Sequence, residues 1–277
     1  MESIEIKVDN RIRVRRATIP NEVIGTLERK LIFKNPLFYT NQRYGRPNHD
    51  ISPTLACIWD DKEKGNIVIT RGFLPQLIKI FHRHRLEFEI INLTRQLPNV
   101  DFDFHGSPYG YQMKAWNELS NYKQGILVGP IGCGKKVTAL SLMAKLRVPT
   151  LVVVSTKRRL AQWHETALRF LSIPDGDIGI IGCGKREMGR KLTLSITLSL
   201  WKLLEEIEPE IGFVIVDECN RANLKIFFKI ALFNCPYLLG LANSRKRQGG
   251  LTEIMHAYLG PRVAEMWPDD GWTSFKV

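Results

Sequence analysis

Gly125-Ile126-Leu127-Val128-Gly129-Pro130-Ile131-Gly132-Cys133-Gly134-Lys135-Lys136 decides how this chain is read. A short apolar run, Gly125–Val128, passes into a glycine loop and then into a segment of helical patterning, Lys135–Leu146. The loop matches the GxxxxGK phosphate-binding pattern, in the strand-then-helix setting where that pattern has physical meaning. Glycines let backbone N–H groups wrap a phosphate, the helix N-terminus adds positive potential, and Lys135 reaches the terminal phosphates. Gly129, Gly132, Gly134, Lys135 and Lys136 are therefore candidate nucleotide-contacting residues, with ATP as the cofactor such a loop suits.

The residue after the loop lysine departs from the pattern. It is ordinarily Ser or Thr, whose hydroxyl completes a Mg²⁺ shell. Here it is Lys136. An ammonium cannot ligate a cation and repels one at that distance. Thr138 lies two residues further on and faces another side of the helix. The substitution disfavours Mg²⁺ and hydrolysis that depends on it, and lets Lys136 neutralise phosphate charge in the metal's place. A second Gly-Cys-Gly-Lys, at Gly182–Lys185, lacks the upstream glycine, since position 178 is Ile178, and reads as a surface turn.

Outward from the loop, apolar strands alternate with helices. Leu151–Val154, Leu192–Ile196, Phe213–Val216 and Pro236–Leu241 read as buried strands, and Lys157–Phe170 as a helix. Such alternation predicts an α/β domain, a parallel sheet covered on both faces. The run Phe213-Val214-Ile215-Val216 ends in Asp217-Glu218, about 80 residues after the loop. At the C-terminal end of a strand beside a phosphate loop, the first acid holds Mg²⁺ and the second positions or activates water. Asp217 and Glu218 are the candidate catalytic pair, with Asp217 the candidate metal ligand.

These stretches resemble, in order, the motifs of superfamily 2 helicases of the DEAD/DEAH-box type. Val216-Asp217-Glu218-Cys219-Asn220-Arg221-Ala222 resembles motif II in the form VDECHRA. Tyr111-Gln112 resembles the YQ pair that reads adenine, which makes Gln112 a nucleotide contact by resemblance. Val154–Trp163 resembles motif Ia, usually VPTKxLxxQW, and Leu194–Leu200 resembles motif Ib. Leu239–Arg247 resembles motif III, usually LGLTATPxR. The resemblance implies a RecA-like P-loop domain over 106–277. It also implies nucleic-acid contacts from Thr156, Lys157 and Arg158, from Thr197 and Ser199, and from the basic turn holding Arg245 and Arg247. Departures accompany the matches. Asn220 stands where the family has His, and Ala242-Asn243-Ser244 stands where it has Thr-Ala-Thr. On the same resemblance the second motor lobe, with its arginine finger, would follow near Val277.

Residues 1–105 read as a small mixed α/β domain. Ile4, Ile6 and Val8, then Ile12 and Val14, alternate as two strands. A helix spans Asn21–Leu31, and a loop rich in Asn, Pro, Gly and Arg spans Lys34–Pro53. Strands near Leu55–Trp59, Asn66–Ile69 and Glu87–Ile91 and a helix near Leu74–Arg85 complete it. Phe33–Pro36, Tyr44–Pro47 and Arg71–Pro75 resemble the leading domain of repair-type and viral helicases. Arg11, Arg13 and Arg15 share one strand face, as a strip for DNA or as an edge-strand solubility device.

The 277 residues carry 40 Lys+Arg against 28 Asp+Glu, a formal charge of +12, which favours a polyanionic partner. Five cysteines without a CxxC pair argue against a disulfide framework or a zinc ribbon, and fit a reducing, cytoplasmic or nucleoid/nuclear compartment. No run of 18 apolar residues suits a membrane. The expected function is a helicase-derived nucleic-acid-binding subunit of a larger complex, DNA before RNA and with protein partners, in which ATP hydrolysis and unwinding are lost. The alternative is the ATP-binding half of a DNA-stimulated ATPase, completed by a second lobe in trans.

Overall fold

The computed structural model describes residues 3–247 and 251–268. The chain forms two compact units, 1–93 and 94–277. Within the expected second domain, residues 248–250 and 269–277 lie outside the described residues.

The first unit begins with an antiparallel pair, β1 (Ile4–Val8) and β2 (Arg11–Arg15). Helix α1 (Asn21–Leu31) leads into β3 (Ile32–Lys34), α2 (Pro36–Arg43) and β4 (Thr54–Ala56). Then come β5 (Ile58–Asp61), β6 (Asn66–Thr70), α3 (Leu74–Arg83) and β7 (Phe88–Asn92). The main sheet runs β5-β6-β2-β1-β7. Val23, Leu27 and Leu31 of α1 and Leu77 and Phe81 of α3 are buried with Ile6, Ile12 and Ile69 of the strands. Spacings of three and four residues on the helices meet period-two alternation on the strands. Strand β2 is interior, paired on both sides, so its arginines are not an edge device. Arg13 is ion-paired with Asp9, and Arg11 lies 4.8 Å from the centroid of Trp59.

The span expected to be a loop over Lys34–Pro53 contains α2. Asn35 caps it, its Oδ1 accepting from the Leu37 N–H at 3.1 Å, and Pro36 occupies the first turn, where its missing N–H costs nothing. An Asn-Pro pair is a helix start as well as a turn signal, and here it is the former.

The second unit opens with α4 (Gly110–Ser120), β8 (Gln124–Val128), α5 (Lys135–Leu146), β9 (Thr150–Val154) and α6 (Lys157–Phe170). A hairpin of β10 (Ile178–Gly182) and β11 (Lys185–Arg186) follows, then β12 (Leu192–Ile196) and the short helices α7 (Thr197–Leu200) and α8 (Leu204–Ile207). Strand β13 (Phe213–Val216), α9 (Leu224–Ile230), β14 (Tyr237–Ala242), α10 (Thr252–Leu259) and β15 (Arg262–Glu265) complete it. Among the described residues the sheet runs β11-β10-β12-β9-β13-β14-β8-β15, parallel throughout except for β11. Strands β9, β12 and β13 are buried at every position, as a two-sided parallel sheet requires. Because the strands are parallel, the segments after β8, β9, β12, β13 and β14 all emerge at one edge. That edge is where open α/β sheets bind ligands. The second Gly-Cys-Gly-Lys is the β10–β11 turn, with Cys183 and Gly184 at φ 55° and 87°, the left-handed pair a two-residue hairpin needs. Among the described residues no helix is long and apolar enough to cross a membrane.

The units divide at Leu93/Thr94, earlier than the expected 105/106 boundary. Residues 94–105 form no helix or strand, but they are fastened to the second unit. Arg95 grips both carboxylate oxygens of Glu208 at 2.9 and 3.0 Å, and Val100 N donates to Arg147 O at 2.8 Å. Phe104 bridges to Leu171, and Phe102 lies in the core with Trp163 and Leu171. Replacing Phe102→Ala should therefore lower unfolding free energy by about 3 kcal/mol in a denaturant titration; a loss below about 0.5 kcal/mol, the level of an exposed site, would make this segment a mere linker.

Candidate nucleotide and nucleic-acid site

The phosphate loop joins β8 to α5. Gly132 and Gly134 adopt φ of 85° and 90°, a region that side chains with a Cβ avoid. At Gly129 an added Cβ would stand 2.7 Å from Cys133 Sγ and 2.8 Å from Met266 O, and at Gly134 2.1 Å from Gln112 Nε2. Backbone and packing together demand glycine there. Lys135 Nζ donates to the carbonyls of Gly129 and Pro130, both at 2.6 Å. Burial pulls this ammonium below the ordinary lysine range, with Cys133 and the negative charge of Asp217 opposing. A loop shaped this way at the start of a twelve-residue helix fits the phosphates of a nucleotide.

Gln112 is buried beneath the loop. Its Nε2 donates to Cys133 O at 3.2 Å while its Oε1 accepts from Tyr109 N at 3.0 Å. Tyr111 OH also donates to Cys133 O. The YQ pair braces the loop, and Gln112 does not line the cleft beside it.

That cleft, of ≈ 970 Å³, is lined by Gly132, Gly134, Lys135 and Lys136 on one side and by Thr156, Arg159, Asp217, Glu218 and Asn243 on the other. Basic side chains outnumber acidic ones around it by five to three. Lys136 donates to Gln162 Oε1 at 3.0 Å and stands 5.9 Å from the Trp163 ring centroid. Burial lowers its pKa, Asp217 opposes, and Arg159 adds to the lowering. Thr138 is turned away from the cleft and buried, its hydroxyl donating to Gly134 O at 3.3 Å. It offers no ligand in place of the missing one.

Asp217 and Glu218 lie at the end of β13 and are almost wholly buried. Asp217 Oδ1 accepts from Glu218 N at 3.0 Å, and Oδ2 accepts from Trp163 Nε1 at 2.9 Å. Arg159 approaches Asp217 Oδ2 at 3.6 Å and Glu218 Oε1 at 2.5 Å. Glu218 Oε1 also accepts from Asn243 Nδ2 at 2.8 Å. The backbone at Glu218 is left-handed, φ 48°, a conformation costly outside glycine that these contacts hold in place. Asn243 N in turn donates to Asn220 Oδ1 at 3.2 Å. The two asparagines that depart from the family pattern thus tie the segment after β14 to the acidic pair. A divalent ion needs free carboxylate oxygen and a hydroxyl or water-filled space. Both oxygens of Asp217 and Oε1 of Glu218 already accept from protein donors, and an ammonium stands where the hydroxyl would be, so the donor set is a poor fit for Mg²⁺.

The residues assigned to nucleic acid fall into two groups. Thr156, Lys157 and Arg158 leave β9 beside Thr197 and Ser199, which leave the adjacent β12; Thr197 donates to Val154 O at 3.0 Å. Thr156 caps α6, accepting from Arg159 N at 3.3 Å; Lys157 and Arg158 are exposed, and Thr156 and Arg158 also line the nucleotide cleft. Arg245 and Arg247 have protein partners of their own. Arg245 donates to both oxygens of Glu265, at 2.8 and 2.7 Å, and Arg247 donates to Ala222 O at 2.9 Å. Arg159 belongs to the basic run Lys157-Arg158-Arg159 at the start of α6, a run that reads as a nucleic-acid contact or a solvated face. The sequence marks Arg159 itself only as a departure, an arginine at the leucine position of the motif Ia pattern VPTKxLxxQW, and does not show its partners.

A family model described as type III restriction enzyme, res subunit, matches residues 105–243. DNA 3'-5' translocase XPB2 of Sulfurisphaera tokodaii is 33% identical over 154 residues, covering 55% of this chain and 34% of that one. Putative ATP-dependent RNA helicase QP509L of African swine fever virus (strain Badajoz 1971 Vero-adapted) is 31% identical over 198 residues, covering 64% and 38%. The chain spans a third to a half of such relatives' length. In fold it is similar to the UvsW helicase from bacteriophage T4, with a TM-score of 0.71 at 18% identity over 94% of this chain and 99% of the other. With half its length matched and the ordered motifs gathered at one sheet edge, the chain belongs to the superfamily 2 helicases, through a domain of the type III restriction enzyme res subunit family.

Proposed function

We propose that this chain is a helicase-derived nucleic-acid-binding component of a larger assembly, which takes a nucleotide in its phosphate loop and does not hydrolyse it. The observation that carries the reading is the state of the acidic pair. In a working site the first acid holds the metal and the second orients water. Here each is already a hydrogen-bond acceptor for Trp163, Arg159 or Asn243. A carboxylate held by a guanidinium is a weaker base, because one oxygen is engaged and the charge is offset. The chemistry is disabled while the nucleic-acid edge stays dressed with exposed Lys157 and Arg158.

Nucleic acid as partner is supported by the +12 charge and by relatives named as helicases and translocases. DNA is favoured because relatives named for DNA come from three separate organisms, whereas the relatives named RNA helicase are one protein from four isolates of a single virus. Nothing at this edge points to base readout, so binding is led by phosphates and falls with salt. A second reading rests on the intact loop: Gly132, Gly134 and Lys135 keep a phosphate-ready geometry, which suits the ATP-binding half of a DNA-stimulated ATPase whose closing lobe acts from elsewhere.

Steady-state turnover separates the two. ATP hydrolysis with Mg²⁺ should stay at background with and without DNA; DNA-stimulated turnover would favour the second reading. Replacing Lys157→Ala and Arg158→Ala together should weaken DNA binding evenly across sequences, and reduce the slope of log affinity against log salt by about 1 to 2 in an anisotropy titration. An unchanged slope would place the nucleic acid elsewhere.

A further inference from the structure

We infer that the nucleotide site carries its own fixed cation: the Arg159 guanidinium, with the Lys136 ammonium beside it, takes the place of the divalent ion, so that a nucleoside di- or triphosphate binds without metal. The inference rests on the reading that the phosphate loop takes a nucleotide. A Mg²⁺ in such a site would bring two positive charges, held between the hydroxyl after the loop lysine and the acid at the strand end. Here the residue after the loop lysine supplies one charge and α6 supplies the other. The backbone N–H of Arg159 donates to the capping Thr156 Oγ1, and its guanidinium spans Asp217 Oδ2 at 3.6 Å and Glu218 Oε1 at 2.5 Å. Guanidinium stays charged at every relevant pH, and its planar fork suits carboxylate and phosphate oxygens alike.

The geometry around the pair leaves little for a metal to do. Asp217 has both oxygens engaged, by Glu218 N and by Trp163 Nε1, before any ion arrives. Lys136 is steered by Gln162 into the same cleft and lines it together with Lys135 and Arg159. An incoming Mg²⁺ would have to displace Arg159 from Glu218 and then sit among three cations. A bare polyphosphate meets the opposite situation, a cleft whose lining is net positive without any ion. Arg159 is thereby a positioning residue. It holds the acids in their closed arrangement and offers its outer N–H groups to phosphate oxygen.

Equilibrium titration of the full chain with a fluorescent ADP analogue, in excess Mg²⁺ and in EDTA, tests this. The expected result is equal affinity in the two buffers, within about twofold. The double variant Arg159→Leu with Lys136→Thr should bind about tenfold more weakly in EDTA, and recover that factor when Mg²⁺ is added. If the double variant does not fold, Arg159→Gln, which keeps the shape and loses the charge, should show the same weakening in EDTA. Wild-type affinity tenfold or more higher in Mg²⁺ would overturn the inference while leaving nucleotide binding intact, and so would variants whose affinity in EDTA equals the wild type's. Absence of binding in both buffers would overturn the reading beneath it.

Discussion

A guanidinium from the first turn of α6 meets both carboxylates at the end of β13, and the rest of the cleft is arranged around that meeting. Arg159 neutralises Glu218, crowds Asp217 and stands beside Lys136. Removing a single partner would leave a buried charge uncompensated, a far larger penalty than the net worth of the pair. The ring of support is correspondingly tight. Trp163 spends its indole N–H on Asp217, Asn243 spends its amide on Glu218, and Asn220 holds the Asn243 backbone. The left-handed Glu218 is tolerated because these bonds leave it no cheaper conformation.

The fold supplies the place for that meeting. Only a parallel sheet brings the ends of β8, β9, β12, β13 and β14 to one edge, and only fully buried strands make that edge rigid enough to hold side chains in register. The glycines of the loop serve the same end from the other side. Gly129 and Gly134 have no room for a Cβ because Met266 and Gln112 are packed against the loop. Met266 N also donates to Val128 O at 2.8 Å, so the chain beyond β15 closes the floor under the phosphate site.

Much of this was legible in the residues. Continuous apolar runs marked β9, β12 and β13, and the glycine loop located β8 and α5, because a period and a turn chemistry are local properties. What was missed was non-local or ambiguous. Helix α2 hid behind Asn35-Pro36, which reads equally as a turn. Helix α9, Leu-Lys-Ile-Phe-Phe-Lys-Ile, is too short and too apolar for periodicity to separate helix from strand. The segment 94–105 belongs to the second unit through Arg95, Val100 and Phe102, whose partners lie far along the chain. Gln112, a nucleotide contact by resemblance, also braces Cys133 O, a bond the sequence does not show. Arg245 and Arg247, nucleic-acid contacts by resemblance, also hold Glu265 and Ala222 O, pairings that only the fold reveals. Lys136 was recognised as a misplaced charge. Arg159, its companion, was not, since its partners stand 58 and 59 positions further along the chain and only the fold joins them.

If a protein cation occupies the metal's place, no divalent ion should bind beside Asp217. Anomalous diffraction from crystals grown with ADP and Mn²⁺ addresses it directly. The expected result is bound nucleotide, no manganese peak beside Asp217, and Arg159 still seated on Glu218. A manganese ion coordinated by Asp217, with Arg159 swung out of the cleft, would contradict it.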